Sequence, residues 1–200
     1  MPMINWRAAT EGFDPTFPDP LGELDLGFLG GGGLAPEVRE DFGTMLKGLL
    51  QDVESKLAMG PDQHMKNATG MMTDASGTRE LLADYEVDYA YDDDAVTTAL
   101  LNMSKTIAGR AAELRSSALE YYVRMGEPGS AVSREVTIRR STDWQNKDAE
   151  APPGTLEAVV VDMEHRSGVA IAVFMPYQYH VGRLFLGDLL AGPSHRRFWS

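Results

Sequence analysis

The residues that come nearest to chemistry lie between Asp84 and Asp94 and read DYEVDYAYDDD. Five aspartates and one glutamate share this stretch with Tyr85, Val87, Tyr89, Ala90 and Tyr91. Carboxylates at this density can chelate a hard cation, pair with Arg and Lys of a partner, or wet one face of a strand. A helix–loop–helix calcium site fails at its essential positions. Asp84, Glu86 and Asp88 fall at its first, third and fifth places, but Tyr89 replaces the turn glycine and Ala95 the bidentate glutamate. In an extended strand the same three carboxylates share one face about 7 Å apart, too far to converge on one cation. An irregular site at Asp92–Asp94 is the minor alternative, and neither a metal nor a cofactor is expected.

Recognition suits these residues better. Tyrosine supplies rigid apolar area with a polar tip, and the neighbouring carboxylates pair with basic side chains. The predicted partner-binding set is Asp84, Tyr85, Glu86, Asp88, Tyr89, Tyr91, Asp92 and Asp93. Strand alternation would put Tyr85, Val87, Tyr89 and Tyr91 on one face, and a helical reading competes through Leu81, Leu82, Tyr85 and Tyr89.

Other candidates are weaker. The four histidines, His64, His165, His180 and His195, form no i, i+4 pair and no zinc-helix pattern. His165 lies between Glu164 and Arg166, where an exposed turn residue is expected. No G-x-S-x-G turn marks a nucleophile, which leaves a spatial constellation such as Asp162, His165 and Ser194 as the low-ranked hydrolytic option. GFLGGGGLA lacks the ending of a phosphate-binding loop, and Met65, Met71 and Met72 read as core filler. No catalytic residue is assigned.

Composition narrows the classes further. The 200 residues contain no cysteine, which excludes disulfides, thiolate nucleophiles and Cys-ligated zinc and fits a cytoplasmic protein. No apolar run approaches a membrane span, and the start of the chain does not read as a signal peptide. The net charge of −12 is uneven: residues 1–100 hold 19 acidic and 6 basic side chains, residues 101–200 hold 11 and 12. Such a charge repels phosphate backbones and attracts basic proteins, so direct nucleic-acid binding is not expected.

These residues must be held by elements legible from periodicity. Residues 1–33, rich in Pro and Gly yet carrying Phe13, Phe17, Leu21 and Leu24, predict an extended arm packed on its own domain or on a neighbouring subunit. Val38, Phe42, Met45, Leu49, Val53 and Leu57 make one helical face between Pro36 and the Gly60-Pro61 stop. Residues 61–79 read as a loop or a short helical piece. Val96 to Met125 keep helical spacing and predict a second helix of roughly 30 residues, capped by Asp92–Asp94 and ended by Gly126 and Pro128. Val136 and Ile138 predict a strand, LEAVVVDM and VAIAVFMPY a hairpin, and VGRLFLGDLL a further strand or short helix. The expected fold is α+β: an N-terminal arm (1–33) and a domain (34–200) with two main helices, one long, on a C-terminal antiparallel β-sheet. Residues 34–127 would be mainly helical and 128–200 mainly β.

The function expected is that of a non-enzymatic acidic interaction module, such as an inhibitor, immunity-type factor, adaptor or secretion chaperone, docking a basic protein partner. One alternative is a structural subunit of a larger, even viral, assembly that uses its arm. Another is an enzyme of unknown class using His165 or His180 with nearby carboxylates.

Overall fold

A computed structural model describes residues 4–9, 15–30, 32–60, 68–83, 93–126, 139–140, 155–194 and 198–199. In chain order come β1 (Trp6–Ala8), a 3-10 turn at Gly27–Leu29, α1 (Pro36–Ala58), β2 (Thr69–Asp74), β3 (Arg79–Ala83) and α2 (Asp93–Gly109). They are followed by β4 (Leu114–Gly126), β5 (Arg139–Arg140), β6 (Thr155–His165), β7 (Ala170–His180), β8 (Arg183–Gly187) and β9 (Leu190–Pro193). The described strands all join one antiparallel sheet in the order β1-β8-β7-β6-β4-β2-β3, with β5 on β4 and β9 on β7. The fold is α+β but dominated by strands.

The long second helix of the sequence reading does not exist. α2 stops at Gly109, and Leu114–Gly126 is a strand paired along its length with β6 and over its first half with β2. Its run Leu119-Glu120-Tyr121-Tyr122-Val123 is apolar and aromatic on both faces, which suits a central strand covered above and below. β2 and β3 also correct the loop reading of 61–79, and they bring the sheet into the segment expected to be mainly helical. Gly126 closes a strand rather than a helix. The proposed strand at Val136 and Ile138 lies outside the described residues.

The sheet separates two layers. On one face α1 packs Phe42, Met45, Leu46, Leu49, Val53 and Leu57 onto Ala118, Tyr122, Val159, Val161, Met163, Ile171, Val173 and Met175. Each fully buried aliphatic or aromatic side chain here contributes about 1.5–3 kcal/mol. On the other face α2 sets Leu100, Met103 and Ile107 against Met72, Leu114 and Leu119. From the arm, Phe17 and Leu21 enter the α1 core of their own chain, Thr16 donates its N–H to Glu54, and Arg7 lies 4.7 Å above the Phe17 ring.

The hairpin read from LEAVVVDM and VAIAVFMPY is β6–β7, turned by Arg166-Ser167-Gly168 with Gly168 at φ 87. Its long first strand lies between β4 and β7, as the unbroken valine run requires. Among the described residues no helix is long and apolar enough to cross a membrane.

Candidate functional site

β3 ends the strand order, so one of its edges faces no other described strand. It is joined to β2 by Asp74-Ala75-Ser76-Gly77-Thr78. The Gly77 N–H reaches the Asp74 carbonyl, the Asp74 N–H reaches the Thr78 carbonyl, and Gly77 sits at φ 89. This is a type I turn closed by a glycine bulge. The Asp74 carboxylate tightens it by accepting from the Ser76 hydroxyl at 2.7 Å and the Thr78 N–H at 2.9 Å, and these bonds hold its pKa below the usual aspartate value.

The turn fixes which main-chain groups of β3 face outward. Antiparallel pairs alternate between hydrogen-bonded and non-hydrogen-bonded. Counting from the bonded Asp74–Thr78 pair through Thr73↔Arg79, Met72↔Glu80, Met71↔Leu81, Gly70↔Leu82 and Thr69↔Ala83, the N–H and C=O groups of Glu80 and Leu82 point to β2. Those of Arg79, Leu81 and Ala83 point away from the sheet. The Leu81 side chain is 53% exposed, beside Met71 on the α1 face, whereas Glu80 on the other face pairs with Arg110 at 2.6 Å.

A second concentration of polar groups is buried between α1 and the sheet. Near the start of α1, fully buried Asp41 accepts from Arg115 Nε at 2.9 Å, Arg115 Nη2 at 2.6 Å and Ser116 Oγ at 2.8 Å. Thr73, Ser116 and His165 stand side by side across β2, β4 and β6 below it. Near the end of α1, Lys56 bonds Asp52 at 2.5 Å and Thr69 Oγ1 at 3.1 Å. Glu120 lies beneath, wholly buried, with neither carboxylate oxygen in a well-directed hydrogen bond among the described residues. Burial pushes its pKa up to about 8; Lys56 and Thr69 oppose that rise, and Asp52 adds to it. Tyr177 donates to Glu157 at 2.6 Å, and Tyr179 donates at 2.6 Å to the Leu57 carbonyl near the end of α1.

The residues singled out from sequence fare unevenly. Asp84, Tyr85, Glu86, Asp88, Tyr89, Tyr91 and Asp92 lie outside the described residues, and Asp93 begins α2. The Asp162, His165 and Ser194 constellation is not assembled. Asp162 and His165 are three steps apart in β6 and so point to opposite faces, and Asp162 accepts from Tyr121 Oη at 2.5 Å. His165 is 3% exposed rather than an open turn residue. Its Nδ1 accepts from the Ser167 N–H at 3.1 Å, which puts the proton on Nε2. Burial lowers its pKa against the opposing pull of Asp41 and Glu37. His180 is exposed beside Phe185, and His64 and His195 lie outside the described residues. Among the described residues no group of three or more His, Asp or Glu could hold a metal ion.

An open groove of about 770 Å³ runs along α1 between Pro18–Pro20 and Gln51. Its charged walls, Asp19, Arg39, Glu40 and Lys47, are exposed and of both signs, an arrangement without a focused charge. Sequence reasoning missed Glu120 and Asp41. The signal for Glu120 was a lone carboxylate inside a β-favouring run, visible only once the period is taken as two. No protein-family model matches the chain, and comparison with curated proteins and with solved structures found no match.

Proposed function

We propose that this protein is a non-enzymatic acidic interaction module that docks a basic protein partner, as an inhibitor, adaptor or immunity-type factor does. The observation that carries the reading is that β3, which ends the strand order among the described residues, leads in sequence straight into Asp84–Asp94. The charge of −12, concentrated in the first half of the chain, supports it, since an acidic field speeds encounter with basic surfaces and disfavours acidic ones. Tyrosines interleaved with the carboxylates supply the contact area that charge alone lacks.

The test is the double variant Asp84→Lys with Asp88→Lys, compared with the parent chain for capture of its co-purifying partner over a salt series. Loss of capture in the variant, and weakening of the parent complex as salt rises, are expected. Equal capture by both proteins, or capture indifferent to salt, would overturn the reading.

A further inference from the structure

We propose that the outer edge of β3 receives an extended basic segment of a protein partner as an added strand, bonded to the main chain of Arg79, Leu81 and Ala83. This rests on the docking reading above and adds how the partner is held. Three observations support it. The hairpin geometry aims the N–H and C=O groups of these residues away from β2, and among the described residues no strand lies beyond them. Edge strands are ordinarily blunted by proline, bulges or charge, but the half of β3 farther from its turn reads Leu81-Leu82-Ala83. Leu81 is 53% exposed beside partly buried Met71, which offers an incoming strand an apolar neighbour on the same face.

The opposite end of the described strand order is shorter and is tied to its neighbour by side-chain bonds. β1 has only three residues, and the Asn5 N–H and side-chain amide bond Asp188 at 3.0 and 2.8 Å beside it. The occupant of the β3 edge is argued from charge. Two copies of this chain would bring −12 against −12, whereas a strand with Lys or Arg at alternate positions meets an opposite field. Main-chain bonds would supply affinity and the alternating side chains selectivity, as in other strand additions.

The test uses the full chain and a short fluorescein-labelled peptide alternating Lys with Val and Thr, beside the same peptide N-methylated at alternate amides. Methylation keeps the charge and removes ladder bonds. Binding of the plain peptide, about tenfold or more weaker binding of the methylated one, and slowed amide exchange at Leu81 but not Leu82 are the expected results. Leu81→Pro should weaken binding likewise, because it removes an outward N–H and leaves the bonds to β2 in place. Should that variant misfold, the methylated peptide on the parent protein still decides. Equal binding of both peptides would overturn strand addition while leaving acidic docking intact. Failure of both peptides to bind, at low salt, would count against both readings. A dimer of the chain alone with Leu81 protected would assign the edge to a second copy and overturn the proposal.

Discussion

The Lys56 ammonium stands 3.8 Å from the Glu120 carboxylate, yet it gives its hydrogen bonds to Thr69 and Asp52. Glu120 therefore lies under a cation with no hydrogen bond to it, fully buried on the face that α1 covers. A carboxyl group in this position keeps its proton to about pH 8.

This placement predicts an unusual pH dependence. Between the ordinary glutamate pKa of 4.5 and the folded value of about 8, the unfolded chain has lost the Glu120 proton while the folded chain holds it. The contribution to stability is full below pH 4.5 and is lost as pH rises through that window. Each unit of separation corresponds to about 1.4 kcal/mol. Glu120→Gln should match the parent near pH 5 and exceed its stability increasingly toward pH 9 in urea titrations. Parallel stability curves would show that Glu120 ionises at no extra cost.

At the other end of α1, Asp41 ties the helix to β4 through Arg115 and Ser116. Asp41→Ala leaves the guanidinium and the hydroxyl without their common acceptor, and destabilisation of about 3 kcal/mol is expected. Ser116→Ala should cost about 1 kcal/mol, since it removes a single bond. Comparable denaturation midpoints for Asp41→Ala and Ser116→Ala would refute this ranking.

Two glycines should respond with opposite signs. A Cβ on Gly43 would meet Leu21 Cδ2 at 3.6 Å, an ordinary contact, so Gly43→Ala should stabilise by about 0.5–1 kcal/mol through helix propensity. A Cβ on Gly187 would lie 2.7 Å from Ile4 Cγ2 and 3.1 Å from Pro176 Cβ. Gly187→Ala should destabilise by about 1–3 kcal/mol as β1 is pushed off β8. Thermal melts of both variants decide the matter.

Phe198 and Trp199 dock on the α2 face. Buried Glu164 accepts from the Phe198 N–H at 2.7 Å, and Trp199 Nε1 donates to the Ala111 carbonyl at 2.9 Å. Truncation after residue 197 should therefore destabilise by about 1–3 kcal/mol, because it leaves a buried carboxylate without its partners. Amide exchange around Ala111 should quicken in the same variant. An unchanged melt would mean that the tail only rests on the surface.

Some of this architecture was legible in one dimension. α1 could be drawn between Pro36 and Gly60 because its apolar face keeps the helical period and both ends carry stop signals. The β6–β7 hairpin could be drawn because two valine-rich runs flank a short turn ending in glycine. β4 could not. Ala118, Tyr122 and Met125 satisfy a helical period, but Ala118, Glu120 and Tyr122 satisfy a period of two equally well. A helix sends Glu120 to solvent, whereas a strand buries it beneath Lys56.

The order of residues by itself determined the acidic excess, the absence of cysteine chemistry, the first helix and the strongest hairpin, because each depends on composition or on contacts close in sequence. Only the tertiary structure decided that β4 is a central strand, that β3 ends the strand order among the described residues, and that Asp41 and Glu120 are buried. Those outcomes depend on pairing between segments far apart in the chain. A strand's neighbours determine which side of it meets water, and no local pattern carries that information.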